Sequence, residues 1–463
     1  MKKELRRGMR GRGMKRVLAG MLVAGGILCL CGCGRADSRS EEQENRYAVL
    51  KGKKITFLTS RNKYFNEYGL MAAAVREQYG CDVEFQVVPD NEYASFLKLK
   101  LATTEVPDVF EYNCPTQNKE LEAARYCTDL SREAWVPRLV NADIARDPQD
   151  NKLYAMPKES ASGYIAVYYN RAVMEQCGII DPHPKTYQEF IELLETVKQK
   201  SSGIVPLYMT NGDAWTTQIF MAGGYPVALG EEAEKIFQRL ARNELKWTEV
   251  PEFAEILTLY QKLIEKGYVN EDQATARYEA AKKMLGTGKA AMYLTTEVFA
   301  SDTEAKYPGC KLGAFALPYA DRDTLPVSKS VGGLFVPKEG GQVDVTKVFL
   351  EVWSLPEIQN IYFFRQGSFT AVTDTQGGKR IDCLQRLTEE YMDKGNYVYQ
   401  MNDQLPEYNA IYEELWREYV KVAGGEIMPR EALENFQSKY KDFLEKQGKW
   451  KEEGFSGTEG KSG

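Results

Sequence analysis

His183 is the sole histidine in 463 residues, and this removes most catalytic constellations at a stroke. Zinc sites of the H-E-x-x-H type, Ser-His-Asp triads and Cys-His pairs each need a histidine set against particular partners. The one available stands in Asp181-Pro182-His183-Pro184, which reads as an exposed loop. Gly286-Thr287-Gly288-Lys289 imitates a phosphate loop, but Ala290 follows the lysine and Lys283 stands where the first glycine should be, so the segment reads as a helix-ending turn. Ser95-Phe96-Leu97-Lys98 and Ser438-Lys439-Tyr440-Lys441 fit S-x-x-K without the S-D-N and K-T-G elements that give it meaning. Glycoside hydrolysis needs only two carboxylates, so that enzyme class stays open on motifs alone.

Noncovalent capture of a sugar asks for different groups. A sugar ring offers an apolar C–H face and a girdle of hydroxyls, matched by aromatic platforms and by planar carboxylate or guanidinium groups. In open α/β sheets such groups come from loops at the carboxyl ends of strands. That rule selects Arg61 after a strand at Lys54–Ser60, Glu111 and Tyr112 after one at Pro107–Phe110, Asp213 and Trp215 after Ile204–Met209, and Glu297 after Ala290–Leu294.

These strands belong to an alternating pattern. Lys54–Ser60, Cys81–Val88, Pro107–Phe110, Ile204–Met209, Ala290–Leu294 and Leu312–Ala316 are β-prone runs, and amphipathic segments lie between them. Tyr68–Tyr79 has helical apolar spacing and ends at Gly80; Thr186-Tyr187-Gln188-Glu189 is a capping box ahead of Phe190, Leu193, Leu194 and Val197; Phe253–Ile264 repeats the stripe and stops at Gly267. Strands interleaved with helices predict parallel α/β sheets.

The N-terminus carries eight Lys/Arg and one Glu before an apolar run from Val17 to Leu30. The run is too short for a bilayer span, which takes roughly 20 residues, and reads as a cleaved signal. It ends in Leu30-Cys31-Gly32-Cys33, which resembles a bacterial lipobox and makes Cys33 the lipidation candidate. Loss of residues 1–32 moves the formal net charge from −6 to −13, which argues against nucleic acid as a partner and leaves membrane attachment to the lipid. The six later cysteines are scattered singly, with no C-x-x-C, and read as small buried hydrophobes rather than as a bridge, a zinc site or a redox motif. Neither a metal nor a cofactor is called for.

Leu101–Val106 runs into Pro107-Asp108-Val109-Phe110, Leu153-Tyr154-Ala155-Met156-Pro157 is followed by Tyr168-Tyr169-Asn170-Arg171, and Pro184–Phe190 comes next. Gly288-Lys289-Ala290-Ala291-Met292, Lys347–Gln359 and Pro429–Leu433 complete the series. In this order the segments resemble those of the family 1 extracellular solute-binding proteins, the group that includes maltose- and oligosaccharide-binding proteins. Tyr187 stands where the family has Trp, and Thr295-Thr296-Glu297 replaces a glycine-containing turn.

The resemblance implies a two-lobe fold of the type II periplasmic-binding kind with the ligand cleft between lobes. It implies a lobe from 50–158 and 297–340 and a second from 159–296 and 341–447; the polar, aperiodic composition at the two ends reads as a lipidated tether at 33–49 and a flexible tail at 448–463. It places Glu159 and Tyr164 near the first chain crossing and Gly332 and Gly333 at the third, and it favours Tyr112, then Trp215, as ligand contacts. The expected role is that of a monomeric lipoprotein on the extracytoplasmic face of the cell membrane that hands a carbohydrate to ABC permease subunits without chemistry. A polysaccharide-acting enzyme and a sensory lipoprotein on the same fold are the alternatives.

Overall fold

The computed structural model describes residues 46–450 apart from 104, 367–368, 376–379, 406–407, 409–410, 447 and 449. Cys33, the signal segment, the tether before residue 46 and the tail from 451 lie outside the described residues. No described helix is long and apolar enough to cross a membrane.

Eleven strands are present among the described residues: β1 (Lys54–Ser60), β2 (Asp82–Val88), β3 (Val109–Cys114), β4 (Ala155–Pro157), β5 (Ala166–Asn170), β6 (Val205–Tyr208), β7 (Ala290–Thr295), β8 (Leu312–Phe315), β9 (Leu325–Val327), β10 (Val331–Phe335) and β11 (Tyr397–Tyr399). Two larger sheets result, ordered β2-β1-β3-β10-β4 and β6-β7-β5-β8, with a small β11-β9 pair beside them. The pairs β1–β2 and β1–β3 are parallel, with Phe57 opposite Phe85 and Val109. The expected all-parallel sheets are corrected in one respect: β10 runs antiparallel to β3 and β4, and β5 runs antiparallel to β7 and β8. Both reversed strands are entered directly from the other lobe, so the chain arrives at the edge that the parallel strands leave.

Local signals fix the helices. Gly80 adopts φ +68° and closes the helix Asn66–Tyr79, while Gly267 at φ +65° follows the helix Pro251–Glu265. Thr186 caps the helix Tyr187–Lys200 by accepting the Glu189 N–H at 3.2 Å, and Glu189 reaches back to the Lys185 N–H at 2.6 Å. The helix Ala214–Leu229 is buried nearly all round, which hides it from a periodicity test.

Each sheet has its own core. Ile55, Phe57, Val109, Phe110, Phe335 and Trp353 belong to the first, and Val167, Leu194, Leu207, Phe253, Met292 and Phe315 to the second. The helices Val343–Trp353 and Pro356–Gln366 pack in the first core, whereas β8 pairs with β5 in the second sheet. This departs from the division expected at 297–340 and 341–447. The chain enters the first sheet at Val331 and stays with it through two helices, which a division carried over from the resemblance did not anticipate.

The glycines Gly332 and Gly333 serve close packing in β10 rather than a bend. A Cβ on Gly333 would lie 2.6 Å from Cys114 Sγ and 2.8 Å from Ala155 Cβ, atoms of the strands on either side. Gly333→Val is therefore expected to destabilise the first lobe by about 1–3 kcal/mol, read as a lower midpoint in urea unfolding. The six later cysteines are all buried thiols. The His183 loop, expected to be exposed, is docked: Nε2 lies 2.8 Å from the Tyr391 hydroxyl and 3.3 Å from Asp323.

Candidate functional site

Strand direction locates the cleft. In the first sheet the carboxyl ends of β1, β2, β3 and β4 and the start of β10 share one edge. In the second, the carboxyl ends of β6, β7 and β8 and the start of β5 share another. The chain passes between these two edges through residues 158–165 and 328–330, and a third time between the helix Pro356–Gln366 on the first sheet and the helix Asp382–Leu387 on the second, so the edges must face one another.

On the first edge a buried ion pair is braced by rings. Glu111, 1 % exposed, accepts from Lys158 Nζ at 2.6 Å, Thr59 Oγ1 at 3.0 Å and the Tyr68 hydroxyl at 3.1 Å. The same ammonium lies over the rings of Tyr68, Phe65 and Tyr362 at 5.0, 5.4 and 5.7 Å. Burial, then the neighbouring Glu111, raises the Tyr68 phenol well above its ordinary range. Lys63 donates to Asn113, and burial pushes its pKa down. Glu159 accepts the Gly332 N–H at 3.1 Å, and burial raises its carboxyl.

On the second edge Trp215 sits half-buried in the first turn of the helix Ala214–Leu229, its ring 5.2 Å from that of Tyr278. Asp213 accepts the Tyr278 N–H at 2.8 Å and Arg277 Nη1 at 2.7 Å, so it fixes the turn on which the second ring stands. Asp302 is paired with Lys282 at 2.9 Å. Burial raises its carboxyl, and the like charge of Glu67 from the first lobe adds to that shift. The helices Glu297–Lys306 and Pro356–Gln366 touch across the lobes here.

The eight residues selected from sequence fall in different places. Glu111 and Tyr112 are inside a strand, because β3 continues to Cys114 instead of ending at Phe110. Alternation then sends Glu111 to the ion pair and Tyr112 to the other face, where it is 8 % exposed in the first core, 6.2 Å from the Tyr93 ring. Arg61 is exposed in the short turn after β1. Glu159 joins the Glu111–Lys158 group, and Asp213 adjoins Trp215. Glu297 and Tyr164 are brought together at the first crossing, where the Glu297 carboxylate accepts the Tyr164 N–H at 2.9 Å and the Tyr164 ring packs 4.7 Å from Phe369. Lys158, Tyr68, Tyr362 and Tyr278 were missed; Lys158 directly follows the Tyr154–Pro157 segment, a signal that was available. A cavity of about 30 Å³ beside β6, lined by Thr210, Tyr260 and Tyr293 among others, has room for a water or two and none for a sugar.

A model of the bacterial extracellular solute-binding proteins matches residues 62–360. The chain belongs to that family. Among curated proteins, the melibiose/raffinose/stachyose-binding protein MelE of Bacillus subtilis is 25 % identical over 338 residues, covering 71 % of this chain and 75 % of the relative. The multiple sugar-binding protein of Streptococcus mutans is 23 % identical over 355 residues, covering 73 % and 81 %. Among solved structures, a sugar transporter protein of Bacillus licheniformis in complex with stachyose superposes with TM-score 0.68 at 18 % identity, covering 83 % of this chain and 99 % of its own. The solute-binding fold, with two α/β lobes about a cleft, is that of this chain, and the family is extracellular and made of binding proteins.

Proposed function

We propose that this chain captures an oligosaccharide between its two lobes and delivers it, chemically unchanged, to the permease subunits of an ABC importer. The observation that carries the reading is the pair of facing strand edges joined by three crossings, one edge bearing the Glu111–Lys158 pair with its rings and the other bearing Trp215 with Tyr278. Sugar-binding relatives support the choice of ligand class: MelE is named for melibiose, raffinose and stachyose, and an extracellular binding protein of this family presents its cargo to a transporter. The lobes follow the cores, with 47–158 and 331–366 forming the first and 163–328 and 382–446 the second. Trp215, with Arg61 at the rim and Glu159 on the floor, makes the direct contacts.

A lipid on Cys33 holds the protein, as a monomer, at the outer face of the membrane. Cys33→Ala is expected to move it from the membrane fraction to the soluble fraction, read by immunoblot of fractionated cells; retention in the membrane would remove the anchor from the account. The function is tested by thermal unfolding of the full chain against raffinose, stachyose, maltooligosaccharides, amino acids and divalent metals, because a ligand bound only to the folded state raises the melting temperature with its concentration. A shift from one oligosaccharide, recovered intact after prolonged incubation, is the expected result. A shift only from a non-carbohydrate, or recovery of cleaved sugar, would overturn the reading.

A further inference from the structure

Two of the three crossings are held by carboxylates that both belong to the second lobe. Glu297, 3 % exposed and first in its helix, accepts the Gly163 N–H at 3.0 Å and the Tyr164 N–H at 2.9 Å. Asp403, 9 % exposed on the short helix Met401–Gln404, accepts the Lys329 N–H at 2.7 Å and the Ser328 hydroxyl at 2.8 Å. Met401 anchors that helix in the second core. Hydrogen bonds from amides to a charged carboxylate are about twice as strong as neutral ones, so each crossing is tied to the second lobe at a defined residue.

The first lobe takes hold a few residues away. Lys158 donates its N–H to Gly332 O at 2.8 Å, Glu159 accepts the Gly332 N–H, and the Ser330 hydroxyl donates to Cys114 O at 3.2 Å. Between the two sets of ties the crossings adhere to each other. Ser162 and Ser328 form a β-bridge, and Gly163, at φ +70°, lies so close that a Cβ there would sit 2.5 Å from Ser328 Cβ. The crossings therefore form one two-stranded ribbon, clamped at each end to a different body.

We propose that Glu297 and Asp403 are positioning residues for ligand capture: they lock Gly163–Tyr164 and Ser328–Lys329 to the second lobe and so confine lobe rotation to Ser160–Ser162 and the Lys329–Ser330 link. The inference rests on the two-lobe capture reading above. It reassigns Glu297 from ligand contact to hinge, since both its oxygens are already engaged by the chain. A hinge of few residues lets the bodies move rigidly, which keeps each half of the site assembled in the open state.

The charge state of the clamps gives a readout that needs no ligand. Burial raises the Glu297 carboxyl to about 7 and the Asp403 carboxyl to about 6. Glu297 has Glu159, Tyr164, Tyr168 and Tyr278 around it, and Asp403 has Lys329 and Tyr399. As pH falls through these values each carboxylate takes a proton and loses its charge, so the amide bonds it accepts drop to neutral strength and the clamps loosen in acid.

The test is residue-resolved amide exchange and amide chemical shift of the full chain without sugar, from pH 8 to pH 5, with E297Q and D403N beside it. The expected result has Gly163, Tyr164 and Lys329 protected at pH 8 while Ala161 and Ser162 exchange freely. The Gly163 and Tyr164 shifts should titrate near 7 and that of Lys329 near 6. E297Q should cut protection at 163 and 164 by at least about tenfold and spare 329, with D403N doing the converse. Uniform exchange across 158–166 in the wild-type chain would overturn the proposal. Weakened sugar binding by E297Q with an unchanged exchange pattern would also overturn it, because Glu297 would then be a ligand contact. Failure of the wild-type chain to bind any sugar would sink the capture reading and leave the exchange pattern standing.

Discussion

Lys158→Met is expected to lower the free energy of unfolding by about 3–5 kcal/mol, the range for removing one partner of a buried ion pair. Glu111 is 1 % exposed and keeps only two hydroxyl donors when the ammonium is gone, and methionine fills most of the stem's volume, so the loss is electrostatic more than steric. Adding Glu111→Gln should restore most of the loss, since an absent pair costs far less than a broken one. Urea unfolding of the wild-type chain, the single variant and the double variant checks this. A single-variant deficit below about 1 kcal/mol would show that the pair is not as dry as its geometry implies.

Trp215→Ala should weaken oligosaccharide binding by about 10–100-fold while leaving the melting temperature within a few degrees, because truncating a central aromatic contact typically removes 1.4–3 kcal/mol of binding energy, each 1.4 kcal/mol being tenfold. The ring is half-buried at the edge of its lobe and leans on Tyr278 rather than on the core, so it has surface left to offer. Tyr112→Phe makes the contrast. Tyr112 lies in the first core, with burial as the main cause of its raised phenol, so loss of its hydroxyl should change sugar affinity less than about threefold. Titration calorimetry of the two variants separates a wall residue from a core residue. The reverse ranking would return Tyr112 to the cleft.

The difference between those two aromatics shows where the sequence could be read and where it could not. Strands such as Lys54–Ser60 were legible to the residue, because a β-prone run met a sharp end, and Gly80 and Gly267 marked helix ends through a backbone conformation that few other residues adopt. The carboxyl end of β3 was not legible. Glu111, Tyr112 and Asn113 are poor advertisements for a buried strand, yet the pairing of β10 along Val331–Phe335 carries the strand four residues beyond Phe110. A reading that ended the strand early turned two interior residues into loop residues. Asp213 and Trp215 do follow β6, because that strand ends near where its apolar run ends, with Trp215 already in the first turn of the next helix.

Partners in long-range contact were out of reach for a different reason. Nothing in the sequence near Lys158 announces that Phe65, Tyr68 and Tyr362 gather round it, since they lie on two helices about 300 residues apart that meet only in the folded lobe. The carboxylates at the crossings are similar. Glu297 was selected because it follows a strand, which is true, but its occupation by the Gly163 and Tyr164 amides depends on a crossing 130 residues earlier in the chain. Asp403 follows the three-residue β11, Tyr397–Tyr399, a run too short to be singled out as a strand.

The central claim is that two bodies close on an oligosaccharide, and small-angle X-ray scattering of the full chain with and without a stabilising sugar tests it most directly. A radius of gyration that falls on saturation, with no change in molecular mass, is the result the account requires. An unchanged radius under a sugar that is demonstrably bound would contradict it.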